Sequence, residues 1–158
     1  VLFRSPVICA GGIWDRADVL RMEALGADGV QIATRLIATE ECDASLAMKE
    51  AYVRATADDI SLIHSPVGMP GRAIKNAFLE KVAAGHIPIY NCARCIHTCN
   101  PSETPYCITQ ALTNAVKGDI ANGLFFCGTN VDKIDHIGHV NEIIEELMAT
   151  PASMDKPA

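Results

Sequence analysis

Pro6-Val7-Ile8-Cys9-Ala10-Gly11-Gly12-Ile13 and Gly26-Ala27-Asp28-Gly29-Val30-Gln31-Ile32-Ala33-Thr34-Arg35 are the two stretches whose reading decides the fold. The first predicts a buried strand, Val7 to Ala10, running into a Gly-Gly turn. The second predicts another buried strand, Gly29 to Ile32, ending in small and hydroxyl residues. A helix of about a dozen residues separates them, a normal length for a crossover between parallel strands. Asp15 is its N-cap, Asp18 takes the capping-box position, and Gly26 stops it. Strand, Gly-Gly, helix, strand is a parallel βαβ unit, and α/β folds bind ligands at the carboxyl ends of such strands.

Gly11 and Gly12 carry no Cβ, so their backbone can approach an anion closely and aim N–H groups at it. Ala33 and Thr34 offer a further N–H and a hydroxyl, and Gln31 an amide. Gly-Gly by itself is equally consistent with a tight turn. Taken together, Ala10-Gly11-Gly12-Ile13, Gly26-Ala27-Asp28-Gly29-Val30-Gln31 and Thr34-Arg35 resemble the last two strands of the FMN-binding (β/α)8 barrel of the nitronate monooxygenase family, which includes enoyl-ACP reductase II. The resemblance implies that Gly11, Gly12, Gln31, Ile32, Ala33 and Thr34 hold the flavin phosphate and ribityl chain. Ala33 stands where many members have Gly, and its N–H can still donate. IMP dehydrogenase-like barrels share the Gly-Gly strand.

A barrel of this kind has about 250 residues, whereas this chain has 158 and its first strand near residue 7. The expectation is therefore an α/β carboxyl-terminal piece. Residues 1–57 end the barrel, 58–150 form a mainly helical extension, and 151–158 form a disordered tail. A freestanding βαβ domain is the competing reading, and it would have to cover both faces of a parallel pair. Apolar residues make up 49%, ample for a core. A net charge of −6 without a basic cluster argues against nucleic acid. No apolar run approaches the roughly 20 residues of a membrane span. Seven cysteines, an odd number, fit a reducing cytoplasm better than a secreted disulfide scaffold.

Periodicity predicts a helix over Thr39–Ala55, with Glu40, Glu41 and Asp43 matching its positive end. A strand over Asp59–Pro66 follows, then a Pro/Gly turn. Arg72 to Asn76 then enters a helix that buries Ile74, Phe78, Leu79 and Val82 and closes at Gly85. Arg72 is read as a clamp on nearby carbonyls or carboxylates, although it could also neutralise a phosphate. Thr104-Pro105 opens a helix that Gly118 ends. Leu124 to Asn130 breaks at Gly128 and resembles a family segment returning to the barrel mouth. Ile137, Val140, Ile143, Ile144 and Leu147 outline an amphipathic helix.

Cys92, Cys95, Cys99 and Cys107 follow the pattern C-x2-C-x3-C-x7-C within the cysteine-rich segment 92–107. Four thiolates so near in sequence can converge on one centre, either tetrahedral zinc or an iron–sulfur cluster, with the cluster ranked first. The spacing is similar to the start of the cluster motif in iron–sulfur flavoenzymes related to 2,4-dienoyl-CoA reductase. A cysteine-rich subgroup of the nitronate monooxygenase-like proteins carries a similar segment. The other readings are packing, with Cys107 a buried small hydrophobe, and free loop thiols. His97 is a bystander.

The resemblance implies an FMN-dependent oxidoreductase that oxidises alkyl nitronates with dioxygen. An enoyl reductase driven by NAD(P)H is the alternative, and a metal-stapled structural or docking module is a third reading. A cluster would suggest a redox partner protein. The histidine base of the family lies on an earlier strand, and none of the five histidines here is expected at a strand end facing the flavin. No catalytic residue is assigned, and the piece alone is expected to be inactive and to bind FMN poorly.

Overall fold

The computed structural model describes residues 5–149, so the expected tail at 151–158 lies outside the described residues. β1 (Ile8–Ala10) and β2 (Gly29–Gln31) pair in parallel, with Cys9 opposite Val30. The Asp28 carboxylate accepts the Val7 N–H at 2.9 Å, and the Asp28 N–H donates to the Val7 carbonyl at 2.8 Å. α1 (Arg16–Ala24) makes the crossover. Its first turn is closed from within: the Asp15 carboxylate accepts the Asp18 N–H, and the Asp18 carboxylate accepts the Trp14 N–H. Asp15 fills its expected N-cap role, whereas Asp18 accepts the N–H of the residue before the N-cap and not that of Asp15, as a capping box would require.

α2 (Thr34–Ile37) is one short turn, and α3 (Leu46–Arg54) is later and shorter than the expected 39–55 helix. Tertiary pairing takes the difference. Thr39 is fully buried in a parallel bridge to Gly138, and the Glu40 N–H donates to the Gly138 carbonyl at 2.9 Å. Ser45 caps α3 by accepting the Met48 N–H. Glu41 therefore does not serve α3. Its carboxylate accepts the Val140 N–H and pairs with the His139 ring at the start of α6 (Val140–Met148).

β3 (Ile60–His64) and β4 (Pro70–Ile74) form an antiparallel hairpin that places Leu62 opposite Arg72. Arg72 to Ile74 is thus strand, where entry into a helix was expected. α4 (Ala77–Ala84) begins only after Asn76, whose side chain accepts the Leu79 N–H. The returning segment adds to the free edge of β4, because the Ile74 N–H donates to Phe125 and the Cys127 N–H donates to Arg72, each at 2.9 Å. Of the residues there, Ile74 is β-branched, and both it and Ala73 are buried. α5 (Ile108–Lys117) starts at Cys107 rather than at Thr104, whose hydroxyl instead donates to the Tyr106 carbonyl. Gly118 ends α5 in the left-handed conformation, φ +88°, as expected.

Three buried clusters hold these elements. Tyr52, Phe125, Ile74, Val131 and Ile134 join α3 to the returning segment, and the Tyr52 hydroxyl donates to the Phe126 carbonyl at 2.6 Å. Phe78, Tyr106, Ala111, Leu124 and Ala73 join α4, α5 and β4. Val19, Ile143 and Leu147 set α6 against α1, with Val30 and Ile32 alongside. That cluster covers one face of the β1–β2 pair. The first strand is not the buried one expected, because Val7 and Ile8 remain exposed and, among the described residues, no strand but β2 pairs with β1.

Two substitutions test this packing. Tyr52→Phe removes a buried hydrogen bond and leaves a carbonyl without its donor, so urea denaturation should show a loss of about 1–2 kcal/mol. Gly118→Ala puts a Cβ 2.7 Å from the Ser45 hydroxyl oxygen in a left-handed conformation, and a loss of about 1 kcal/mol or more is expected. A third tests the α6 cap. The hydrogen bond that the His139 ring donates to the Glu41 carboxylate, then the carboxylate's charge, raises the His139 pKa. The pairing is accordingly present at low pH and lost as pH rises through that value. Glu41→Gln should return the NMR titration midpoint of His139 towards the usual imidazole value of about 6.5.

Candidate functional site

The carboxyl ends of β1 and β2 open onto one cavity of about 460 Å³. Gly11, Gly12, Gln31, Ile32, Ala33 and Thr34 all line it, so the structure brings the six expected residues together. Gly11 and Gly12 adopt φ +87° and +72°, and a Cβ built on either meets no atom within 4 Å. Packing therefore does not require glycine there. The backbone path does. The N–H groups of Gly11, Gly12 and Ala33 donate to no acceptor among the described residues. By contrast, the first turn of α1 is already supplied by Asp15 and Asp18. An anion in this cavity would be held by loop amides and not by a helix dipole.

The opposite wall comes from far along the chain: Phe126 to Asn130, with Arg72 beside them. The Gly128 N–H donates to the Thr34 hydroxyl oxygen at 2.8 Å, and the Asn130 amide donates to the Gly12 carbonyl at 3.3 Å. The Thr34 hydroxyl still has its own hydrogen to donate. The lining contains two arginines and no Asp or Glu, in a chain of net charge −6. Arg35 is already engaged: it donates to the Trp14 carbonyl at 2.7 Å, pairs with Glu146, and lies 4.7 Å over the Trp14 ring. The Arg72 guanidinium makes no hydrogen bond or ion pair among the described residues, so the expected clamp is not formed. Burial pushes the Cys127 thiol up to about 11, and the nearby Arg72 charge draws it back.

Sequence reasoning missed Trp14, and for Arg72 it preferred a clamp over the phosphate role it also allowed. Trp14 is the one tryptophan of the chain and follows Gly-Gly by two residues, a signal in retrospect. Arg72 carried no such signal, because its place depends on the hairpin. His64 ends β3, but it is exposed and does not line the cavity.

The four cysteines line a different hollow, of about 550 Å³, with Arg94, His97 and Tyr106. The Arg94 N–H donates to the Cys92 sulfur at 3.4 Å, and Arg94 has φ +51°, the one non-glycine residue with positive φ among the described residues. Cys95 shares a hydrogen bond with the Thr109 hydroxyl, and Cys107 occupies the N-cap position of α5 without a side-chain cap hydrogen bond. The sulfurs share a hollow without meeting at one point: among the described residues, no three His, Cys, Asp or Glu side chains gather as ligands of a metal ion. Convergence of the four thiols on one metal centre, an iron–sulfur cluster before zinc, was expected, and among the described residues it is not seen. The described residues include no helix long and apolar enough to cross a membrane.

Comparison with known proteins agrees with this architecture. A probable nitronate monooxygenase of Staphylococcus haemolyticus (strain JCSC1435) is 31% identical over 119 residues, which is 74% of this chain and 29% of that protein. One from Staphylococcus aureus (strain Newman) is 36% identical over 87 residues, 54% of this chain and 24% of that protein. The structure of FabK from Thermotoga maritima superposes with a TM-score of 0.72 at 31% identity, over 92% of this chain and 44% of that one. Nitroalkane oxidase from Streptomyces ansochromogenes shares the fold, with a TM-score of 0.67 at 24% identity, over 93% of this chain and 39% of that one. The chain thus spans less than half the length of each of these relatives. The nitronate monooxygenase family profile matches residues 3–150, nearly the whole chain, and the chain belongs to that family.

Proposed function

We propose that this chain forms the end of an FMN-binding (β/α)8 barrel, with residues 1–57 contributing the last two strands and 58–150 a family-specific extension. The whole protein is then an FMN-dependent oxidoreductase. One observation carries the reading: three unclaimed N–H groups, two of them on left-handed glycines, line a cavity whose wall contains no carboxylate. That combination suits a phosphate monoester. Gly11, Gly12 and Ala33 would donate N–H groups to the FMN phosphate, with the Thr34 hydroxyl beside them. Gln31 and Ile32 would lie along the ribityl chain. The exposed apolar Val7 and Ile8 are consistent with a parallel sheet that continues past β1.

FMN, when bound, supplies transfer of electrons from substrate and reaction with dioxygen, and the protein supplies position and electrostatics. The chain's own residues fix the cofactor's phosphate end. No residue of the chain is assigned a proton transfer. The preferred substrates are alkyl nitronates, oxidised to a carbonyl compound and nitrite. The second reading is reduction of an enoyl thioester by NAD(P)H. Family membership and the likeness to FabK support both alike.

The four cysteines form a separate part of the proposal, a thiolate-held centre with an iron–sulfur cluster ranked before zinc. It is supported by the spacing, the shared hollow and the Arg94 N–H aimed at the Cys92 sulfur. Formation of the centre requires the 92–99 loop to close towards Cys107. Iron, sulfide and zinc analysis of anaerobically purified protein tests it. Iron and sulfide that are lost together in Cys95→Ser are expected, and absence of all three elements rejects the centre.

Flavin content and turnover test the main reading on the whole protein. FMN near one per chain and nitronate-dependent oxygen uptake with nitrite release are expected. Enoyl reduction by NAD(P)H without nitronate turnover would reverse the ranking, and protein free of FMN affinity would reject both. Gly12→Val places a branched side chain at φ +72°, and FMN binding should weaken at least about tenfold, roughly one charge-assisted hydrogen bond.

A further inference from the structure

We propose that Arg72 is the cation that faces the phosphate of the ligand seated over Gly11 and Gly12, an inference that rests on the FMN reading of this cavity. Three observations meet on this residue. The first is position. Arg72 lies in the middle of β4, whose backbone is held on one edge by β3 and on the other by Phe125 and Cys127. Its Cα therefore has little freedom, and its long side chain reaches the same cavity as the two glycines.

The second is charge. The chain carries six more acidic than basic groups, yet the described lining of this cavity contains two arginines and no acid. Of the two, Arg35 is held by Trp14 and Glu146. Lys133 lies near the same indole, 5.6 Å from its centroid. Among the described residues, the Arg72 guanidinium alone of the cavity's cationic groups has neither a hydrogen bond nor an ion pair. The third is chemistry. Backbone N–H groups satisfy some of the oxygens of a phosphate monoester but leave its net charge, and a guanidinium matches that charge with two parallel N–H donors. Loop amides from Gly11, Gly12 and Ala33 on one wall and Arg72 on the other together supply both.

Riboflavin lacks the phosphate and is otherwise the same ligand, so it separates this role from a structural one. FMN and riboflavin dissociation constants, measured on the whole apoprotein by flavin fluorescence quenching, should show that Arg72→Ala weakens FMN at least about tenfold and leaves riboflavin unchanged. The salt dependence of FMN binding should shrink, and Arg72→Lys should recover part of the loss. Arg72 is exposed, so thermal unfolding should not move. Equal losses for both flavins, or no loss for either, would overturn the proposal. If the wild-type protein binds neither flavin, the FMN reading fails, and inorganic phosphate binding followed by ³¹P NMR decides Arg72 separately. Phosphate bound by wild type and lost in Arg72→Ala upholds its role. No phosphate binding ends it.

Discussion

The hydrogen bond from the Gly128 N–H to the Thr34 hydroxyl closes the site, because it joins segments 94 residues apart. On one side stands the βαβ unit, whose strand ends leave amides unclaimed. On the other stands the returning segment, added to β4 and braced by the Tyr52 hydroxyl at the Phe126 carbonyl. Without that junction the Gly-Gly turn would be an open surface loop. With it, the turn becomes one wall of a cavity. Buried hydrogen bonds of this kind contribute about 1 kcal/mol each to stability, yet here their larger consequence is geometric.

Electrostatics follows from the same arrangement. The acids of the amino-terminal region are turned to structural work: Asp15 and Asp18 close α1, Asp28 clips the strand pair, and Glu41 caps α6. Each is thereby kept off the cavity lining. The cavity is left with amides, hydroxyls and two guanidiniums, an environment suited to an anion although the chain as a whole is acidic. Its local character could not be read from net charge, because net charge does not say which carboxylates are spent on helix ends.

The cysteine segment shows the complementary limit. Its spacing is legible at a glance, and the structure does place all four thiols around one hollow. Spacing constrains how cheaply loops can close, but it does not bring sulfurs to a common point. The chain around Arg94 instead takes a left-handed turn that sets one N–H against Cys92. Helix starts show the same limit: Thr39 is drawn into a bridge with Gly138, and Thr104 into a buried turn ahead of α5.

What the sequence determined by itself was local. Short apolar runs and glycine placement marked β1, α1 and β2, the Asp15 N-cap and the Gly118 stop, because each depends on neighbours within one turn or one strand. What only the tertiary structure decided was non-local. It paired β3 with β4, added the returning segment to the edge of β4, withdrew Arg72 from any clamp, and set Trp14 under Arg35. Strand pairing is chosen by partners distant in sequence, and a side chain's neighbours across a cavity exist only once that pairing is made.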